Sequence, residues 1–98
     1  MKKLNFTQPI VNLEGVAMKQ GPNELLMKDI VANTLCISKA KQGEVVRQLN
    51  LAMEIYKSKE VMNVEDADVK LIRDVLITAD LSTLVLGQII KMLDETGK

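Results

Sequence analysis

From Leu25 onward, apolar side chains recur three and four residues apart in four successive stretches, and this period constrains the fold more than any other feature. Residues on that spacing share one face of an α-helix. The first stretch, residues 24–38, puts Leu26, Met27, Ile30, Val31 and Leu35 on one face. Asn23 precedes it as an N-cap, and Glu24 stands in the first turn, where the helix dipole favours a carboxylate. The second, residues 44–57, sets Val45, Leu49, Ala52, Met53 and Tyr56 at core spacing. The third follows Asn63, with Asp66 three residues on in the manner of a capping box, and reaches residue 78. Its inward residues are Leu71, Ile72, Val75, Leu76 and Ala79. The fourth, capped by Asp80 or Ser82, runs to about residue 95 and stops at Gly97.

The first twenty residues have a different period. Leu4 and Phe6 alternate with Asn5 and Thr7 as in a half-buried strand, and Pro9 fits only an edge or a bulge. "NLEG" reads as a turn, because Asn12 can hydrogen-bond its own backbone and Gly15 can take a left-handed conformation. Val16 and Met18 resume the alternation until "QGPN". An isolated hairpin is marginal in water, so Leu4, Phe6, Val16 and Met18 should cover the helices or another copy. Val61 and Met62, in the connector "KEVMNVED", should tuck inward. The fold expected is α+β and predominantly helical, an N-terminal β-hairpin followed by about four α-helices packed as a small bundle. The whole chain, 1–98, forms one domain, with the hairpin over 1–20 and the helical region over 24–96.

Hydrophobic residues make up 47% of the chain and aromatic ones 2%, so the core must be built from Leu, Ile, Val and Met. Thirteen basic and thirteen acidic residues cancel, which argues against binding driven by phosphate neutralisation and removes a barrier to self-association. Cys36 is the single cysteine, which excludes an internal disulfide; within the apolar first helix it reads as a small core residue. "MKKLNFTQPI" lacks the apolar core of a signal peptide, and no apolar run approaches the ~20 residues of a membrane span. A cytoplasmic protein without membrane contact is expected.

The chain has no histidine, which removes the usual general base and the commonest metal ligand, and one cysteine cannot build a thiolate site. Glu65, Asp66 and Asp68 lack the spacing of a calcium loop and read as the acids of a helix N-terminus. The five glycines form no phosphate-binding loop. Lys39, Lys41 and Arg47 make a local basic grouping without aromatic residues for stacking, so a solvated loop is expected there. Tyr56 reads as a core residue with its hydroxyl at the edge. These observations predict no enzyme, no cofactor, no metal and no nucleic-acid contact. A helix-turn-helix over the last two helices fails on composition, because Ser82, Thr83 and leucines would face the bases.

In the fourth helix the apolar residues Leu81, Leu84, Val85, Leu86, Ile89, Ile90, Met92 and Leu93 span roughly 240° at 100° per residue. An ordinary surface helix needs an apolar stripe of only ~100° or more. The excess fits either a central helix enclosed by the other three and the hairpin, or a helix that packs on its own domain with one side and on a partner with the other. In a domain this small, three helices and a hairpin could barely enclose a fourth, which favours the partner. Leu86 and Ile90 are the interaction candidates.

The run "LNFTQPIVNLEG", a helix, then "LAMEIYKSKEV" and "EDADVKLIRDVL", resembles in layout a group of small proteins encoded by tailed bacteriophages and prophages. The resemblance spans nearly the whole chain and contains no catalytic signature. It implies a non-enzymatic role in a bacterial host cell, as an assembly helper or accessory factor working by protein–protein interaction. The partner would be a second copy, forming a dimer, or another phage or host protein. The alternative is a regulator of transcription or replication acting on a host or phage nucleic-acid machine.

Overall fold

The computed structural model describes residues 2–40 and 42–95, the side chains of Lys2, Gln20 and Glu95 excepted. The elements run β1 (Lys2–Leu4), β2 (Lys19–Gln20), β3 (Asn23–Glu24), α1 (Met27–Ile37), α2 (Val45–Lys57), β4 (Met62–Val64), α3 (Asp66–Thr78) and α4 (Thr83–Glu95). This is the expected α+β class, four helices with short antiparallel strands, one of which lies between α2 and α3. α1 packs against α2 and α3, and α3 against α4. Gly97 and Lys41 lie outside the described residues.

The hairpin turn forms at "NLEG". The Asn12 carboxamide oxygen accepts from the N–H groups of Glu14 (2.9 Å) and Val16 (3.1 Å), and Gly15 takes φ +84°. Ladder bonds around it join Asn12 to Val16 (2.9 Å) and Met18 to Ile10 (2.7 Å). Leu4 and Phe6, however, do not pair with Val16 and Met18. β1 pairs instead with β4, with Leu4 opposite Met62 and Lys2 opposite Val64. The cause is local: Asn5 accepts the Thr7 N–H at 3.0 Å, and this side-chain turn ends the strand before the hairpin begins. "QGPN" does not end the pattern but folds a second small hairpin, β2 on β3, around Gly21 at φ +65°.

The strand β4 was not expected. Its pairing with β1 sets the burial: Val64 is inward, Met62 half-buried, and Val61 exposed rather than tucked in.

The N-terminal segment supplies three of the most buried side chains, Leu4, Phe6 and Ile10. Its backbone also closes the start of α1. The first N–H groups of a helix have no partner within it; here the Met27 N–H donates to the Gln8 oxygen (2.9 Å) and the Lys28 N–H to the Phe6 oxygen (2.7 Å). The N-cap is therefore Leu26, with its own N–H bound to the Asp29 carboxylate at 3.2 Å, and not Asn23. Asn23 and Glu24 belong to β3. At α3 the N-cap is Glu65 and makes no side-chain cap bond, so the capping box expected from Asn63 does not form; Asn63 is held in β4.

Of the expected hairpin cover, Leu4 and Phe6 are buried and Met18 packs against the core, whereas Val16 is exposed at the tip of its loop. In α3, Ile72, Val75 and Leu76 are buried as expected, joined by Val69, with Leu71 and Ala79 half-buried. Ser82 starts α4, its Oγ accepting the Val85 N–H at 3.4 Å and its carbonyl the Leu86 N–H at 2.9 Å. Because Phe6 is fully enclosed, Phe6→Ala should lose about 3–5 kcal/mol in chemical denaturation. Unfolding indistinguishable from the parent would show that its ring is not part of the core.

Candidate functional site

The residues expected to face inward on α2 are, with one exception, those that face outward. Val45, Leu49, Met53 and Tyr56 are exposed, and only Ala52 is buried. The inner stripe is Gln48, Leu51, Ala52 and Ile55. Both stripes obey helical spacing, and a glutamine within the true inner one disguises it.

Gln48 is buried, and its amide nitrogen is engaged twice. Its Nε2 donates to the carbonyl oxygens of Leu35 (2.9 Å) and Ser38 (3.2 Å). These lie at the C-terminal end of α1, where carbonyls lack partners within the helix. An amide buried with two acceptors avoids the penalty of an unpaired polar group and gives the α1 end what water would otherwise supply. Next to it, Arg47 binds Asp68 in the first turn of α3 through Nε (2.9 Å) and Nη2 (2.7 Å), and Glu44 at 3.2 Å. Those carboxylates, the Asp68 hydrogen bond above all, raise the already high guanidinium pKa further. At the other end of α2, Lys28 donates to the Ser58 carbonyl at 3.0 Å. Together these contacts tie the Gln48 side of α2 to α1 and α3, so the opposite side must face away.

What faces away is a continuous apolar seam. Val46, Leu49, Met53 and Tyr56 are 69%, 49%, 45% and 61% exposed. Their three-four-three spacing is that of the contact positions of a coiled coil. Beside the seam, between α1 and α2, lies an open groove of about 1010 Å³, lined by Leu25, Ile30, Ile37, Met53, Tyr56 and Leu81 among others. Ile37 is itself exposed, and Cys36 opens to the groove rather than into the core. Cys36 follows the buried Leu35 by one residue, a rotation of about 100° that carries it out of the core. Tyr56 is likewise not a core residue.

The interaction candidates of α4 occupy a different setting. Leu86 and Ile90 are half-buried and pack against the core, in which Ile89, Met92 and Leu93 are enclosed. α4 is also anchored to the N-terminal hairpin. The Gln88 side chain accepts the Val11 N–H (2.9 Å) and donates to the Val11 oxygen (2.7 Å), as a neighbouring strand would. Arg73 pairs with Asp94 between α3 and α4.

Both arginines of the chain are thus paired with carboxylates. Asp66 and Asp68 lie in the first turn of α3 as expected for helix-terminal acids. Among the described residues no three His, Cys, Asp or Glu side chains converge as metal ligands, and no helix is long and apolar enough to cross a membrane. No family model matches the chain, and no match was found among curated proteins or solved structures.

If the seam is surface and the inner stripe is core, the two respond differently to substitution. At high dilution, where the chain is a monomer, Leu49→Glu should change stability by no more than about 0.5 kcal/mol, whereas Ile55→Ala should cost about 2–5 kcal/mol. Urea denaturation of both variants checks this, and equal losses would contradict it.

Proposed function

We propose that the protein is a non-enzymatic interaction module that binds another protein surface through the outward seam of α2 and the groove beside it. The observation that carries this reading is the seam itself. Small soluble proteins rarely leave a contiguous apolar face open unless it meets a partner. Here an α-helix is apolar on two sides: Leu51 and Ile55 enter the core, while Val46, Leu49, Met53 and Tyr56 meet solvent. The polar positions Arg47, Asn50, Glu54 and Lys57 fall together on the remaining side. Such a surface suits helix packing, with long apolar side chains, flexible Met53 and one aromatic anchor in Tyr56. Electrostatics agree with a protein partner rather than a polyphosphate one. Net charge is zero, and the guanidinium groups of Arg47 and Arg73 already have carboxylate partners.

The resemblance in layout to small phage-encoded proteins suggests the setting, an accessory or assembly factor working inside a host cell. In that role the domain contributes a rigid apolar edge and no chemistry.

A photo-reactive benzophenone side chain at Tyr56 tests the reading in producing cells. Irradiation should yield a discrete protein adduct that Leu49→Glu abolishes, while the same probe at exposed Lys70 on α3 yields none. Absence of a specific adduct at Tyr56 would overturn the proposal.

A further inference from the structure

We infer that the α2 seam pairs antiparallel with the α2 of a second copy of this chain about a two-fold axis; the inference rests on the interaction reading above and names its partner.

Two observations point to a second copy. First, the seam is self-complementary. Val46 and Tyr56 stand five residues before and after Leu51, and Leu49 and Met53 stand two before and two after. A two-fold axis opposite Leu51 therefore sets Val46 against Tyr56 of the second copy and Leu49 against its Met53. Small meets large at the ends and medium meets medium at the centre, which fills space evenly along α2. A closed two-fold contact of one patch with itself is the commonest assembly of a soluble chain.

Second, charge selects the direction. A parallel pair would bring Lys57 beside its own copy and align the two helix dipoles. The antiparallel pair separates the two Lys57 positions by roughly 18 Å along the axis, at 1.5 Å rise per residue. It also sets the N-terminus of each α2 beside the C-terminus of the other, the favourable dipole arrangement. With zero net charge, nothing in the whole-molecule field opposes the approach of two copies.

Sedimentation equilibrium with circular dichroism on the parent, Leu49→Glu and Met53→Lys decides the stoichiometry and the face. Spin labels on Lys57→Cys, in a Cys36→Ser background, decide the direction. Expected are a dimeric parent, folded monomers for both charge variants, and a label separation of about 20 Å for helices roughly 9 Å apart. A parent that stays monomeric at high concentration would overturn the second-copy inference. The benzophenone adduct at Tyr56 would then still stand or fall separately as the test of interaction. A label separation near 10 Å would overturn the antiparallel arrangement, and charge variants that remain dimeric would overturn the α2 seam. Unfolding of both charge variants would overturn it too, by showing the seam to be internal.

Discussion

A buried glutamine between two helices sets the surface chemistry of this protein. The Gln48 carboxamide reaches the carbonyls of Leu35 and Ser38 from only one rotational setting of α2, and in that setting it is itself enclosed. Turning α2 to bury Leu49, Met53 and Tyr56 would bring the buried Leu51 and Ile55 to the surface in exchange. It would also expose Gln48, strand the α1 carbonyls and pull Arg47 from Asp68. Each buried polar group left unpaired costs about 1–3 kcal/mol, comparable to the gain from enclosing one large apolar side chain. With Leu51 and Ile55 given up in exchange, the Leu35 and Ser38 carbonyls decide the setting, and the apolar seam is left to solvent.

The same logic operates at the other end of α1. Its first N–H groups find partners in the Phe6 and Gln8 carbonyls, so α1 is finished at one end by the N-terminal segment and at the other by α2. The N-terminal segment is held in turn by side chains on both sides: Phe6 and Ile10 enter the core, and Gln88 of α4 completes the hydrogen bonding of Val11. Polar side chains substitute for backbone partners at places where short strands and helix ends would otherwise be incomplete. That leaves a small domain, built almost without aromatic residues, with one helix whose apolar surface exceeds its core.

Much of this was legible beforehand. The four helices, the Asn12–Gly15 turn, and the buried Phe6, Ile72 and Leu76 follow from period and turn chemistry. The wide apolar arc points to α4 as the helix with surface to spare, whereas the most exposed apolar helix face lies on α2. Periodicity cannot choose between two stripes of one helix when the inner one contains a polar residue. Val45, Leu49, Met53 and Tyr56 outweigh Leu51 and Ile55, and only the Leu35 and Ser38 carbonyls reveal what Gln48 binds. Cys36 and Tyr56 were misassigned for related reasons, since each was given to the core from the apolar residues around it. The β1–β4 pairing was hidden too, because three residues at each end of a 60-residue separation carry no period of their own.

The most direct measurement of how α2 is turned is the thiol-modification rate of single cysteines along it, at high dilution and in the Cys36→Ser background. If Gln48 sets the rotation, Leu49→Cys and Met53→Cys react at nearly the rate of an unfolded chain, while Leu51→Cys and Ile55→Cys are protected until the domain unfolds. The reverse pattern, protection at 49 and 53 with reactivity at 51 and 55, would show α2 turned the other way and contradict both the buried glutamine and the open seam.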